Sequence, residues 1–106
     1  MPRVYYTILI YIKPGQEATF RSYEHQALPL MARYGGRVEL FLQPDTVTGD
    51  LDRPDEIHVL SFETDDGYAR YRQDPRSIEL APLRLASVDK AIFLKGRRLP
   101  APVGGR

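Results

Sequence analysis

Hydrophobic residues follow strand spacing at the start of the chain and helical spacing directly after it. Val4–Ile12 is apolar on both alternating sides, which predicts a strand that must be covered on both faces. Residues 17–34 repeat apolar and aromatic side chains at three- and four-residue steps, which predicts a helix with one buried face. Pro29 is expected to kink this helix or shift its last turn, and Gly35-Gly36 is expected to end it.

The rest of the chain continues with strands and helices in a recognisable order. Residues 37–43 alternate, with Val38, Leu40 and Leu42 on one side, as in a half-buried strand. After a polar loop, the predicted elements are a strand at 57–62, a helix from 64 or 65 to 73, helical spacing at 77–87 and a short strand at 91–95. The order β-α-β-β-α-β predicts an α+β, ferredoxin-like fold with a four-stranded antiparallel sheet and both helices on one face.

The sheet face opposite the helices carries apolar side chains in this arrangement. The residues concerned are Leu9, Tyr11, Val59 or Leu60, and Ile92 or Phe93. Monomers rarely expose an apolar patch of more than a few hundred Å². A second copy related by a two-fold axis would cover this face, which predicts a homodimer through the open sheet face. A monomer whose tail or loop folds over the sheet is the alternative.

Composition limits the class of protein without naming an activity. The chain has 106 residues, which we divide into one domain at 1–96 and a flexible basic tail at 97–106. The absence of cysteine excludes a disulfide scaffold and a thiol nucleophile. A net charge of +1 gives no reason to expect nucleic acid, and no apolar run approaches the ~18 residues of a membrane span. The N-terminus lacks a signal-peptide layout, so we expect a cytoplasmic protein.

The C-terminal tail has two interpretations. It carries Arg97, Arg98 and Arg106 with no acidic residue, so it could clamp an anion or a nucleic acid. Its prolines and glycines resist regular structure and favour a flexible terminus instead. We expect the second, and therefore no nucleic-acid partner.

His58 is the candidate general base. It is predicted to lie in mid-strand with Leu60 and Phe62 on its own side, and Glu56 precedes it by two residues. Imidazole titrates near neutral pH and could take a proton from a phenol or from a carbon next to a carbonyl group. A histidine that is hydrogen-bonded within the core or the dimer interface is the alternative.

Arg84 and several tyrosines are candidates for holding a substrate. Arg84 lies between Leu83 and Leu85 and could bind a carboxylate or phenolate; otherwise it is a surface residue or pairs with Asp89 or Glu39. The phenols expected to face the sheet belong to Tyr23, Tyr34, Tyr68 and Tyr71. They could line an aromatic pocket, or they could simply pack in the core.

Metal and cofactor sites are not expected from the histidine spacing. His25 and His58 are the two histidines, and neither forms a His-x-x-x-His or Glu-x-x-His motif. The spacing places Glu24 and His25 on the polar side of the first helix, where His25 would be solvated. We therefore predict neither a metal nor a cofactor.

Several motifs resemble those of one known superfamily. Lys13-Pro14-Gly15 after the first strand resembles the strand end of dimeric α-β barrel proteins, and Arg33-Tyr34-Gly35-Gly36 resembles one of their groups, domain of unknown function 1330. The further motifs similar to that group are Arg53-Pro54, the strand that holds His58, Tyr68, Tyr71, Asp74-Pro75 and Leu83-Arg84. The resemblance covers about residues 3–96. It implies a ferredoxin-like protomer and a homodimer with a central barrel.

The resemblance implies a fold and leaves the reaction open. The wider superfamily includes cofactor-free monooxygenases, haem-binding enzymes, isomerases and dehalogenases. Our leading hypothesis is a cofactor-free enzyme with a small apolar pocket for an aromatic or carbonyl compound, in which His58 is the base and Arg84 orients the substrate. The proposed substrate-binding residues are Tyr23, Tyr34, Tyr68 and Phe62. A non-enzymatic ligand-binding or scaffolding dimer, with a structural His58, is the alternative.

Overall fold

The computed structural model describes residues 2–102, which form four strands and three helices. The elements are β1 (Val4–Ile12), α1 (Glu17–Ala32), β2 (Gly36–Leu42), β3 (Glu56–Phe62), α2 (Gly67–Gln73), α3 (Pro75–Ser87) and β4 (Val88–Arg97). The strands pair antiparallel in the order β2-β3-β1-β4. This confirms the predicted ferredoxin-like fold, and the two helical segments predicted to end at 73 and to resume at 77 are two separate helices, α2 and α3.

The helices differ from the sequence-based expectation at their ends. α1 runs through Pro29 and ends at Ala32, two residues before the predicted end. α2 and α3 are separated at Asp74, whose extended backbone stops one helix and whose side chain caps the next by accepting a hydrogen bond from the Arg76 backbone N–H at 2.7 Å. Pro75 follows as the first residue of α3, where its missing N–H costs nothing.

β4 is twice as long as the predicted strand at 91–95. It pairs with β1 along its whole length, from Val4 opposite Arg97 to Ile12 opposite Val88. Arg97, which we had placed in the tail, therefore belongs to the sheet. Residues 103–106 of the expected tail lie outside the described part of the chain.

A bulge in β2 changes which side chains reach each face. The pairing with β3 shifts by one residue between Val38 and Leu40, because Glu39 is an extra residue on this strand. Val38 and Phe41 therefore lie on the helix side, opposite Leu60 and His58. Strict alternation had predicted Val38, Leu40 and Leu42 on one side, and this prediction is wrong beyond Val38.

The core lies between the sheet and the helices. Its buried residues come from every layer: Tyr6, Ile8, Ile10, Phe20, Ala27, Leu30, Leu60, Phe62, Tyr71 and Leu80. Phe62 is fully buried and packs edge-on against Tyr6 and Tyr68. A Cβ atom at Gly36 would lie 2.6 Å from the Phe62 ring, so this close approach of backbone and ring requires glycine.

The other sheet face is apolar, and no helix within residues 2–102 covers it. The register places these residues side by side on it: Leu9, Leu40, Leu42, Ile57, Val59, Ile92 and Leu94. Leu40, Leu42 and Leu94 are each about half exposed. The loop after β2 reaches one end of this face, where the Tyr11 hydroxyl donates to the Asp52 carbonyl oxygen at 2.7 Å.

The described helices are short. α1 is the longest with 16 residues, and within residues 2–102 none has both the length and the apolar character that crossing a membrane requires.

Candidate functional site

A cavity of about 200 Å³ lies between the sheet and the helices. Ile8, Leu60 and Phe93 belong to its sheet side, and α1, α2 and α3 supply the other walls. Most of the lining is aliphatic or aromatic, and the charged or titratable side chains that reach it include Glu24, His58, Arg72 and Arg84. An apolar cavity with a few polar groups is the usual form of a small-molecule site.

The His58 imidazole is buried in β3 and fixed from two directions. Its Nε2 donates to Glu56 Oε1 at 2.7 Å and lies 3.3 Å from Glu24 Oε2. The Phe41 ring stacks on the imidazole with centroids 3.9 Å apart, a position that the β2 bulge creates. A histidine whose ring plane and one nitrogen are held in this way presents its other nitrogen, Nδ1, in a defined direction.

Arg21 joins the two carboxylates beside His58. Its Nη1 donates to Glu24 Oε1 at 2.6 Å, and its Nη2 donates to Glu56 Oε2. The hydrogen bond to Glu56 is the main reason why the pKa of Arg21 is raised. One cation therefore holds two acids that come from different elements, and Glu56 links this pair to the histidine.

The two carboxylates respond to this environment in opposite ways. Burial raises the pKa of Glu24 despite its contact with Arg21, and Glu24 Oε2 is buried without a hydrogen-bond partner. Burial also opposes the ionisation of Glu56, but hydrogen bonds from Arg21 and His58 outweigh it and lower its pKa. The ionised form is therefore favoured at Glu56, next to His58, and the protonated form is favoured at Glu24.

Substituting each acid by its amide tests this difference. Glu24→Gln is expected to gain stability relative to the wild type as pH rises, because the contribution of Glu24 is greatest below its ordinary pKa of 4.5 and is lost as pH rises through the raised value. Glu56→Gln is expected to lose stability relative to the wild type as pH rises towards 4.5, because the contribution of Glu56 develops between its lowered pKa and 4.5 and is fully present above 4.5. Urea unfolding from acidic to neutral pH measures both, and parallel curves for the two variants would contradict the assignment.

Four of the six predicted site residues meet at the cavity. His58, Arg84, Tyr23 and Tyr68 all line it, together with Tyr71. The Tyr23 and Tyr71 hydroxyl oxygens lie 3.4 Å apart, and burial raises the pKa of Tyr71. The Tyr71 phenol is therefore a neutral hydrogen-bonding group at the lining.

Tyr34 and Phe62 lie elsewhere. The Tyr34 hydroxyl donates to Asp74 at the start of α3, and the side chain is not part of the cavity lining. Phe62 is enclosed by core residues and does not line the cavity either. Both side chains hold elements together in this structure.

Sequence reasoning missed Glu24, Arg21, Arg72 and Phe41. We placed Glu24 on the polar side of the first helix, but it is 9% exposed, and that expectation is wrong. Its spacing held the signal, because Glu24 follows Phe20 by four residues and precedes Ala27 by three, which puts it on the apolar face. His25 is exposed, as expected.

The same cluster has the composition of a metal site. One ligand atom each from Glu24, Glu56 and His58 lies within 4.8 Å of the others, so these residues could hold an ion. Histidine spacing could not reveal this, because one ligand comes from a helix and two come from a strand. Arg21 binds the other oxygen of each carboxylate, so an ion held by the atoms that face His58 Nε2 would take the place of the proton on that nitrogen.

Comparisons with known proteins agree with the fold. Protein-family models and curated proteins give no match to the chain. Among solved structures, the RPA0582 protein of Rhodopseudomonas palustris, of unknown function, superposes with a TM-score of 0.81 at 16% identity over 93% of this chain and 84% of that one. A proposed antibiotic biosynthesis monooxygenase of Bordetella bronchiseptica gives 0.70 at 20% identity, over 94% and 100%.

A third similar structure is a dabb family protein of Mesorhizobium loti with a ferredoxin-like fold. It superposes with a TM-score of 0.63 at 16% identity over 94% of this chain and 100% of that one. At identities this low, the superpositions establish a shared fold and nothing narrower. The narrower resemblance to domain of unknown function 1330 rests on the sequence motifs alone.

Proposed function

We propose that the cavity is the active site of a cofactor-free enzyme that moves a proton on a small aromatic or carbonyl compound. The observation that carries this is His58, which lines a mostly apolar cavity and donates to Glu56 through Nε2 at 2.7 Å. With its proton on Nε2, the neutral imidazole keeps a lone pair on Nδ1. We propose that this nitrogen is the one that meets the ligand.

The proposed step breaks a C–H bond next to a carbonyl group, or a phenolic O–H bond. His58 Nδ1 takes the proton, and the bonding electrons move onto the substrate oxygen as an enolate or phenolate. The Glu56 carboxylate then faces the imidazolium, which lowers the cost of forming it. Return of the proton to a different carbon would complete an isomerisation.

Proton exchange with solvent tests the proposal directly. Phenylpyruvate, which has acidic C–H protons, is incubated with the protein in D₂O, and loss of the proton NMR signal is compared with that in buffer alone. We expect faster exchange with the protein, unchanged by a chelator and without uptake of dioxygen. A chelator-sensitive rate would favour a metal at Glu24, Glu56 and His58, and dioxygen uptake would favour an oxygenase.

A non-enzymatic ligand-binding dimer is the second candidate, because a buried, fully oriented histidine is also compatible with a purely structural role. It predicts that phenylpyruvate binds, as seen by line broadening, but that exchange stays at the rate in buffer. That outcome would overturn the enzyme proposal.

We further propose that the chain forms a homodimer through the open sheet face. Seven apolar side chains from all four strands lie together there, and three of them are about half exposed. Burying such a face against its own copy removes apolar area from water on both partners. The Mesorhizobium loti and Bordetella bronchiseptica structures share the fold that produces this face.

A charge on the open face is expected to separate the dimer. Leu94→Asp should sediment as a monomer at micromolar concentration, while the wild type sediments as a dimer, because the new carboxylate would be desolvated in the interface. Ile78→Asp is the matched control: Ile78 is 61% exposed and Leu94 is 56% exposed, but Ile78 lies on α3. A monomeric wild type, or equal effects of both substitutions, would contradict the proposed interface.

A further inference from the structure

Two arginines line the cavity without an acidic partner. Arg72 of α2 and Arg84 of α3 are both half-buried. Arg72 Nη1 donates to the Tyr68 hydroxyl at 3.0 Å, and within residues 2–102 neither guanidinium forms a salt bridge. By contrast, Arg21, whose side chain is more exposed than either of its partners, pairs with two carboxylates.

An unpaired guanidinium against an apolar wall is unfavourable. A charge that leaves water without a counter-ion loses solvation that the surrounding apolar side chains do not replace. Two such charges at one cavity favour a ligand that brings a negative charge. A guanidinium presents its N–H groups as a fork that fits the two oxygens of a carboxylate.

The cavity volume limits the size of that ligand. An engineered apolar cavity of about 150 Å³ holds one benzene molecule. The present cavity, at about 200 Å³, has room for one substituted ring. Phe93 and Tyr68, whose rings lie 5.9 Å apart, are both part of its lining and offer aromatic surface.

Polar groups reach the cavity from both layers of the fold. The arginines enter from α2 and α3 on the helix side, and His58 enters from β3 on the sheet side. A ligand that spans the space would therefore present its negative charge to one layer and its reacting atom to the other.

We propose that the substrate is a single-ring carboxylate, bound through its carboxylate group by Arg72 and Arg84. The ring lies among the apolar residues between the layers, and the atom that loses its proton faces His58. This assignment rests on the proposed function for the role of His58, since it names the substrate class of the same cavity. Arg84 is the residue that sequence analysis had already selected, and Arg72 is its partner from the preceding helix.

Matched probes separate charge from shape. Phenylacetate, its neutral isostere phenylacetamide and the cation 2-phenylethylammonium carry the same ring, and calorimetric titration measures their dissociation constants. We expect the wild type to bind phenylacetate at least about tenfold more tightly than the amide, and the ammonium ion most weakly.

Substitutions then assign the effect to the two arginines. Arg72→Gln and Arg84→Gln are each expected to weaken phenylacetate binding by about tenfold and to leave phenylacetamide unchanged. Arg84→Lys keeps the charge but loses the fork, so it should lie in between. Arg70→Gln is the control, because Arg70 is an exposed residue of α2 that lies over the Tyr34 ring and not in the cavity lining.

Equal affinity of the wild type for the acid and the amide would overturn the proposal, and this comparison does not depend on any variant folding. Retention of the preference for the acid by the Arg72→Gln/Arg84→Gln double variant, or no binding of any probe at millimolar concentration, would also overturn it. Failure of proton exchange with the preference for the acid intact would count against the proposed function alone.

Discussion

Replacing His58 with alanine is expected to slow the protein-dependent exchange of phenylpyruvate protons by about 10²–10⁴-fold, the usual contribution of a general base. The reason is geometric: the His58 imidazole lines the cavity, and its hydrogen bond to Glu56 fixes the orientation of the ring. The rate of signal loss by NMR, at saturating substrate, measures the effect. Substrate affinity should change much less, because the arginines bind the anion.

His25→Ala is the matched control for this loss. His25 lies on α1 next to Glu24, but its side chain is exposed and is not part of the cavity lining. Its substitution should leave the exchange rate within about twofold of wild type, as expected of a surface change away from the site. Equal rates for the two alanine variants would instead favour the ligand-binding dimer.

Phe62→Ala is expected to lower the free energy of unfolding by about 3–5 kcal/mol, the usual cost of removing a buried phenylalanine ring. Phe62 is fully buried, and its ring lies 5.7 Å from that of Tyr68. A domain stability of about 5–15 kcal/mol makes this a large fraction of the total. Urea unfolding measures it.

Phe93→Ala is the control for the Phe62 prediction. The Phe93 ring lies 5.9 Å from the same Tyr68, but Phe93 is 46% exposed and lines the cavity. Its loss should cost much less stability and should weaken phenylacetate binding instead. A larger stability loss at Phe93 than at Phe62 would contradict the division between core and cavity that the structure shows.

The fold could be predicted from local patterns because each pattern is a property of a few neighbouring residues. Val4–Ile12 shows the pattern of a strand that is apolar on both sides. Residues 17–34 show that of a helix with one apolar face, and the double glycine Gly35-Gly36 marks its end. Their order selects the ferredoxin-like topology with few alternatives. The strand of His58 was also predicted correctly: His58 lies within β3, which pairs with β1 on one side and β2 on the other.

The site was only partly predictable because its contacts cross between elements. Arg21 and Glu56 are 35 residues apart in the chain and meet only when α1 packs on β3. Arg72 seemed to be an ordinary helix residue until α2 placed it beside the same cavity as Arg84. Tyr34 is a residue type that often lines pockets, but its hydroxyl donates a hydrogen bond to Asp74 at the start of α3.

The β2 bulge shows most clearly what local periodicity leaves open. One extra residue at Glu39 moves Leu40 and Leu42 to the open face and brings Phe41 over His58. Nothing in the alternation of residues 37–43 marks that shift, since the side-chain period of a strand is two and a one-residue slip inverts it.

The sequence by itself determined the elements, their order, the apolar second face of the sheet and the presence of a histidine in the third strand. Only the tertiary structure decided that His58 meets Glu56, Glu24 and Phe41, and that two arginines without a salt bridge in the described part of the chain share its cavity. The physical reason is that backbone geometry sets spacing within an element, whereas register and packing between elements set which side chains meet.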